Sequence, residues 1–145
     1  MRIFFDTSVL VAASERAHPH WVQAKPALLR VVNGEDAGFA SLHSLAEVYA
    51  ALTRLPVQPR IDASQALHII RDNILPHFEF IPIEKADYIA SLQTVAGSGW
   101  GGAKIYDALL LQCAQKCGAE RIYTFNLGDF RELAPLGLRD RIGAP

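Results

Sequence analysis

Four carboxylates and one amide stand where a chain of this kind could do chemistry: Asp6, Glu47, Asp107, Asp129 and Asn126. Asp6 ends the apolar triplet Ile3-Phe4-Phe5, which reads as a short buried strand. Glu47 falls in the first turn of a helix that follows a second short strand. Asp107 lies near the start of a long apolar helix, between Ile105-Tyr106 and Ala108-Leu109-Leu110-Leu111, where a lone carboxylate is costly. Asn126 and Asp129 follow a fourth strand. Acids gathered at one place repel each other, and a divalent cation offsets that repulsion. With no His or Cys in the set, the donors suit a hard, oxygen-loving ion such as Mg²⁺ or Mn²⁺.

Each acid also has a purely structural use. Asp6 can cap the helix that follows it, and Ser44 with Glu47 fits the Ser-x-x-Glu capping box. Asp107 can complement the positive end of a helix dipole, and Asp129 can cap its own short helix. Thr7 and Ser8 are helix-capping types too, or hydroxyl donors that hold a carboxylate in place. The argument for chemistry rests on all the acids sharing one edge.

That edge follows from the order of the elements. Apolar Val9 to Ala13 begins a first helical segment, and His18-Pro19-His20 opens a second. There Trp21, Ala24, Leu28, Leu29 and Val32 mark one apolar face, and Asn33-Gly34 ends it. Pro26 should break or kink this helix unless a new one begins there. Ala37 to Ser41 reads as a strand. His43 to Leu55 reads as a helix with Leu45, Val48, Tyr49 and Leu52 inward, stopped by Pro56. Ala63 to Leu75 is a further helix with Ala66, Leu67, Ile70 and Ile74 inward, stopped by Pro76. Phe78, Phe80 and Ile83 alternate as a third strand does, and Ala86 to Ala96 is helical up to a glycine-rich break. Lys104 to Cys117 forms a long helix closed by Gly118. Arg121 to Phe125 is a strand, Asp129 to Leu133 a short helix, and Leu138 to Ile142 a last edge strand. Strands alternating with helices imply an α/β fold: a central parallel sheet with right-handed crossovers and helices on both faces. Ligands of such sheets sit beyond the carboxyl ends of the strands, where these acids lie.

With 145 residues, no internal repeat and no linker, the chain is expected to form a single domain over 1–145. Half its residues are hydrophobic and a fifth charged, the balance of a folded globule. Fourteen Lys and Arg stand against fifteen Asp and Glu, which excludes a charge-driven, histone-like binder. If a metal neutralises four acids, fourteen basic residues face eleven, a surface that tolerates a phosphate backbone. The two cysteines, Cys113 and Cys117, share a helix face and suit neither a disulfide framework nor zinc. No secretion signal and no membrane-length apolar run is read, so a soluble cytoplasmic protein is expected.

Four stretches in order resemble the PIN domain family, and within it the VapC-type toxins of toxin–antitoxin pairs. They are Phe5-Asp6-Thr7-Ser8-Val9-Leu10; Ser44-Leu45-Ala46-Glu47-Val48-Tyr49 through Leu52-Thr53-Arg54-Leu55-Pro56; Tyr106-Asp107-Ala108-Leu109-Leu110; and Tyr123-Thr124-Phe125-Asn126-Leu127-Gly128-Asp129-Phe130. The resemblance implies that Asp6, Glu47 and Asp107 bind metal, and that Asp129 and Asn126 complete the site. Many members carry Asp where this chain has Asn126. It further implies a Mg²⁺-dependent endoribonuclease, an RNA substrate, a cognate antitoxin and a homodimer. The rival expectations are a PIN nuclease of RNA maturation without a toxin role, and a catalytically weak RNA- or protein-binding module.

Other constellations carry less. Gly97-Ser98-Gly99-Trp100-Gly101-Gly102 matches G-x-G-x-x-G but follows a helix instead of a strand, so the dinucleotide context is missing. Trp100 reads as a loop anchor or a base-stacking residue, and Lys104 lacks the companions of a P-loop. His18 and His20 are exposed residues at a helix start or contacts to RNA. The apolar surface of helices 43–55 and 63–75 exceeds what one small core needs, which hints at a homodimer.

Overall fold

The computed structural model describes all 145 residues. Its centre is strand β1, Arg2–Phe5, where three successive apolar side chains are fully buried. Successive strand residues point to opposite faces, so Ile3 and Phe5 enter one core while Phe4 enters the other. A continuous apolar run of this kind marks a strand covered on both sides.

Five parallel strands form one sheet in the order β3-β2-β1-β4-β5, with β2 at Ala37–Ser41, β3 at Phe78–Ile81, β4 at Arg121–Tyr123 and β5 at Ile142–Gly143. Helices α1 (Thr7–Ser14), α2 (Trp21–Val32), α3 (Ser44–Arg54) and α4 (Ala63–Ile69) cover the face of Ile3 and Phe5. Helices α5 (Lys85–Gly97), α6 (Lys104–Lys116), α7 (Leu127–Leu133) and α8 (Leu136–Arg139) cover the face of Phe4. The expected α/β architecture is therefore present. From β1 the chain winds outward through β2 and β3, then returns to lay β4 on the other side of β1. The order reverses at β1 and β4, and the crevice beyond their carboxyl ends is the ligand position of such sheets.

Close packing explains one glycine. A Cβ on Gly38 of β2 would stand 2.6 Å from Val31 of α2 and 2.8 Å from the Phe78 ring, so only glycine lets the helix approach the sheet there. Gly118, at φ 64°, reverses the chain after α6 as expected of a helix-ending glycine.

Several details depart from the sequence reading. Pro26 lies inside a continuous α2. It sits on the exposed face, and Val22, whose carbonyl loses its helical partner at Pro26, is 77% exposed, so that group is open to solvent. The helix from Ala63 ends at Ile69 and continues as a π turn over Ile70–Ile74. Leu29, Tyr49 and Leu67, expected inward, are exposed because each lies at the margin of its helix's apolar stripe. The expected edge strand 138–142 is instead the short helix α8 followed by the two-residue β5. Cys113 and Cys117 are buried free thiols in the α6 core. No helix is long and apolar enough to cross a membrane.

Candidate functional site

Asp6 is the first residue past β1, held to β4 by its backbone N–H on the Tyr123 carbonyl at 2.9 Å. It occupies the N-cap position of α1, yet its side chain makes no capping hydrogen bond. Its Oδ2 accepts instead from the Ser8 hydroxyl at 2.6 Å and the Thr124 hydroxyl at 2.8 Å. Both donors converge on one oxygen, which leaves Oδ1 without a hydroxyl partner. Burial pushes the Asp6 carboxyl above its usual pKa, and the Ser8 and Thr124 hydroxyls oppose that shift.

Glu47 lies in the first turn of α3 and is half-buried. The helix begins one residue later than expected, with His43 at its N-cap and no side-chain cap, so the Ser44–Glu47 capping box does not form. Ser44 is fully buried and accepts from the Thr7 hydroxyl at 2.9 Å. The same Thr7 oxygen stands 3.3 Å from Glu47 Oε1 and ties the carboxylate to the start of α1. Burial raises the Glu47 pKa, while the nearby His43 lowers it.

Asp107 sits in the first turn of α6, and burial together with the negative charges of Asp6 and Asp129 pushes its pKa up to about 6. Glu47 adds to the same repulsion. The four acids therefore share one electrostatic environment although they arrive from four separate segments.

Asn126 bridges two of them. Its Nδ2 donates to Asp107 Oδ2 at 2.8 Å and to Asp129 Oδ2 at 3.0 Å. Asn126 is the N-cap of α7, which starts at Leu127, so Asp129 is a first-turn residue and not the cap. The Asn126 amide and Lys104 hold the Asp129 carboxyl below its usual pKa. Lys104 lies 3.4 Å from Asp129 and 2.6 Å from Glu132, with its ammonium 4.4 Å from the Trp100 ring centre. Trp100 packs against the second core cluster, as a loop anchor does.

Two residues of this edge escape sequence reasoning. Thr124 is fully buried, bonds Asp6 and accepts the Asn126 backbone N–H at 3.0 Å, so one hydroxyl sets both Asp6 and the loop carrying Asn126. Its only signal is a hydroxyl directly after an apolar strand. Lys104 pairs with Asp129 across 25 positions of sequence, which no local pattern reveals.

The donors are all oxygens, and the repulsion carried by Asp107 is what a cation relieves. No three His, Cys, Asp or Glu side chains come close enough to form a complete metal cage. Mg²⁺ needs none, because it keeps several waters and takes one or two carboxylates together with substrate phosphates. The residues therefore fit such an ion.

A five-stranded parallel sheet flanked by helices, with acids beyond its strand ends, defines the class of fold. Residues 3–135 match the family model of the PIN domain, and the chain belongs to that family. Among solved structures it resembles VapC20 of Mycobacterium tuberculosis, a Sarcin-Ricin loop cleaving toxin. That likeness has 16% identity and a TM-score of 0.68 over 88% of this chain and 92% of the other. It also resembles VapBC2 from Rickettsia felis, bound to a DNA fragment from its promoter. There the identity is 18% and the TM-score 0.64, over 91% of this chain and 92% of the other. At these identities the likeness establishes the fold. No curated protein matches the chain.

Proposed function

We propose that the protein is a Mg²⁺-dependent endoribonuclease and the toxin of a toxin–antitoxin pair. The observation that carries this reading is the gathering of acids at one edge, where Asn126 bridges Asp107 and Asp129 while Ser8 and Thr124 hold Asp6. Burial with the charges of Asp6, Asp129 and Glu47 lifts the Asp107 pKa to about 6. Membership of the PIN family and the likeness to toxins of the VapC type support it. Mg²⁺, or Mn²⁺ in its place, would supply at this edge an acidified water and charge stabilisation at the phosphate.

The chain's own residues divide the remaining work. Asp6 and Asp107 would hold the ion, with Glu47 and Asp129 completing the acidic set. Ser8 and Thr124 fix one oxygen of Asp6, and Thr7 steadies Glu47. Asn126, donating to both Asp107 and Asp129, keeps these two acids together against their repulsion. The RNA supplies phosphate oxygens, and the homodimer and the cognate antitoxin belong to the same proposal. So does a cytoplasmic setting, which suits two free thiols.

Brief induced expression followed by mapping of RNA ends tests the proposal. New RNA ends and growth arrest are expected, both lost in Asp107→Asn and both suppressed by the product of a neighbouring gene. Arrest with no new ends, or new ends unchanged in Asp107→Asn, contradicts it.

A further inference from the structure

The loop between α1 and α2 crosses to the acidic edge. There the His20 ring stacks on Phe125, centres 4.4 Å apart and planes inclined by 18°. Phe125 stands between Thr124, which holds Asp6, and Asn126, which bridges Asp107 and Asp129. Its backbone N–H points at Ser8 Oγ, the other donor to Asp6, at 3.4 Å. The stack thus adjoins three residues that set the acids: Ser8, Thr124 and Asn126.

Helix capping does not explain the histidine. His20 occupies the N-cap position of α2, but its side chain makes no capping hydrogen bond. Core packing does not explain it either, since His20 is exposed while Phe125 beneath it is half-buried against the first core cluster. His18 lies alongside, its ring 5.9 Å from that of His20, and its Nδ1 accepts the His20 backbone N–H. Arg16, also exposed, carries its guanidinium 6.0 Å from the Trp21 ring. Glu15 is the one acid of this loop, and its carboxylate accepts the Ala17 backbone N–H.

We propose that His20, stacked on Phe125 beside the acidic edge, is a platform for one unpaired nucleobase of a single-stranded RNA. Phe125, on which His20 stacks, is the chain neighbour of both Thr124 and Asn126, so the stack adjoins the residues that hold the acids. Aromatic faces, histidine included, take splayed bases of single-stranded RNA, and such stacking is tolerant of sequence. His18 and Arg16 offer donors to the flanking backbone. A duplex keeps its bases stacked inside and has none to offer.

This inference rests on the ribonuclease reading, and the test separates the two. Short single-stranded RNA carrying one 2-aminopurine is titrated with protein in Ca²⁺, reading anisotropy for affinity and base fluorescence for stacking. Wild type should bind and change the base fluorescence, and His20→Ala should bind about tenfold more weakly with that change lost. His20→Phe should restore both, and thermal melting should show each variant folded. An oligonucleotide with an abasic site in place of the reporter should bind wild type and His20→Ala equally. Unchanged affinity and fluorescence in His20→Ala would overturn the platform and leave the nuclease reading intact. Equal binding of duplex RNA would overturn it too, and no binding of any RNA by wild type would overturn both readings.

Discussion

Asp107 is the residue on which pH and metal act together. Its pKa of about 6 exceeds the ordinary carboxylate value because burial, Asp6 and Asp129 all disfavour its charge. A raised folded-state pKa stabilises the protein fully below the unfolded value, and that contribution is lost as pH rises through the folded value. Asp6 and Glu47 are shifted in the same direction. Asp129, Asp36 and Asp87 are shifted downward, so their contributions are kept until pH falls below the usual carboxylate range. In chelator the protein should therefore melt higher at pH 5 than at pH 7, which differential scanning fluorimetry reads directly. His18, whose pKa burial lowers, opposes this gain in wild type and in Asp107→Asn alike. A gain from pH 7 to pH 5 no larger in wild type than in Asp107→Asn would contradict the raised Asp107 pKa. Asn126 makes a second prediction. It touches two acids through its amide nitrogen, so Asn126→Ala should lose roughly 10- to 100-fold in cleavage, the usual cost of removing a partner that orients a metal ligand. Asp6→Asn, which removes the charge itself, should be inactive in the same Mg²⁺ titration. Equal losses would give Asn126 a direct role.

At the scale of elements, the edge is assembled by β1, β4 and the first turns of α3, α6 and α7. Lys104 opens α6 and reaches α7, pairing with Asp129 and Glu132. It competes for Asp129 with any bound cation. Lys104→Met should tighten Mg²⁺ binding, measured by calorimetry, by only a few-fold because such exposed pairs are weak. Weaker binding would show that the lysine orients Asp129 more than it neutralises it. Much of this layer was legible in the residues. Ile3-Phe4-Phe5 announces a strand buried on both faces, and the alternation of strands with helices puts Asp6, Glu47, Asp107 and Asp129 at one edge. What could not be read is contact between distant segments. Thr124 and Lys104 look ordinary in sequence and acquire their roles only when β4 lies beside β1 and α6 beside α7. Nor does the sequence decide between a cap and a ligand. Only the geometry shows that Asp6, Glu47 and Asp129 leave their local capping roles unused. Pro26 misleads for the opposite reason, since an exposed helix face leaves the unbonded carbonyl open to solvent, which local rules leave out.

For the whole molecule, the sheet reverses its winding between β1 and β4, and a core cluster backs the sheet on each face. The acids are thus held in repulsion by the fold, and a cation that relieves the strain must stabilise the folded state. The direct measurement is a set of four thermal melts: wild type and Asp107→Asn, each in chelator and in Mg²⁺ at about a hundredfold excess over Kd. Binding at that excess stabilises by about 2.7 kcal/mol, which for a chain of this length raises the wild-type Tm by roughly 5–10 °C. Asp107→Asn removes one repelling charge, so it should melt above wild type in chelator and respond to Mg²⁺ by much less. A variant that melts below wild type in chelator and gains as much from Mg²⁺ would make Asp107 a helix-terminus residue and contradict the metal site.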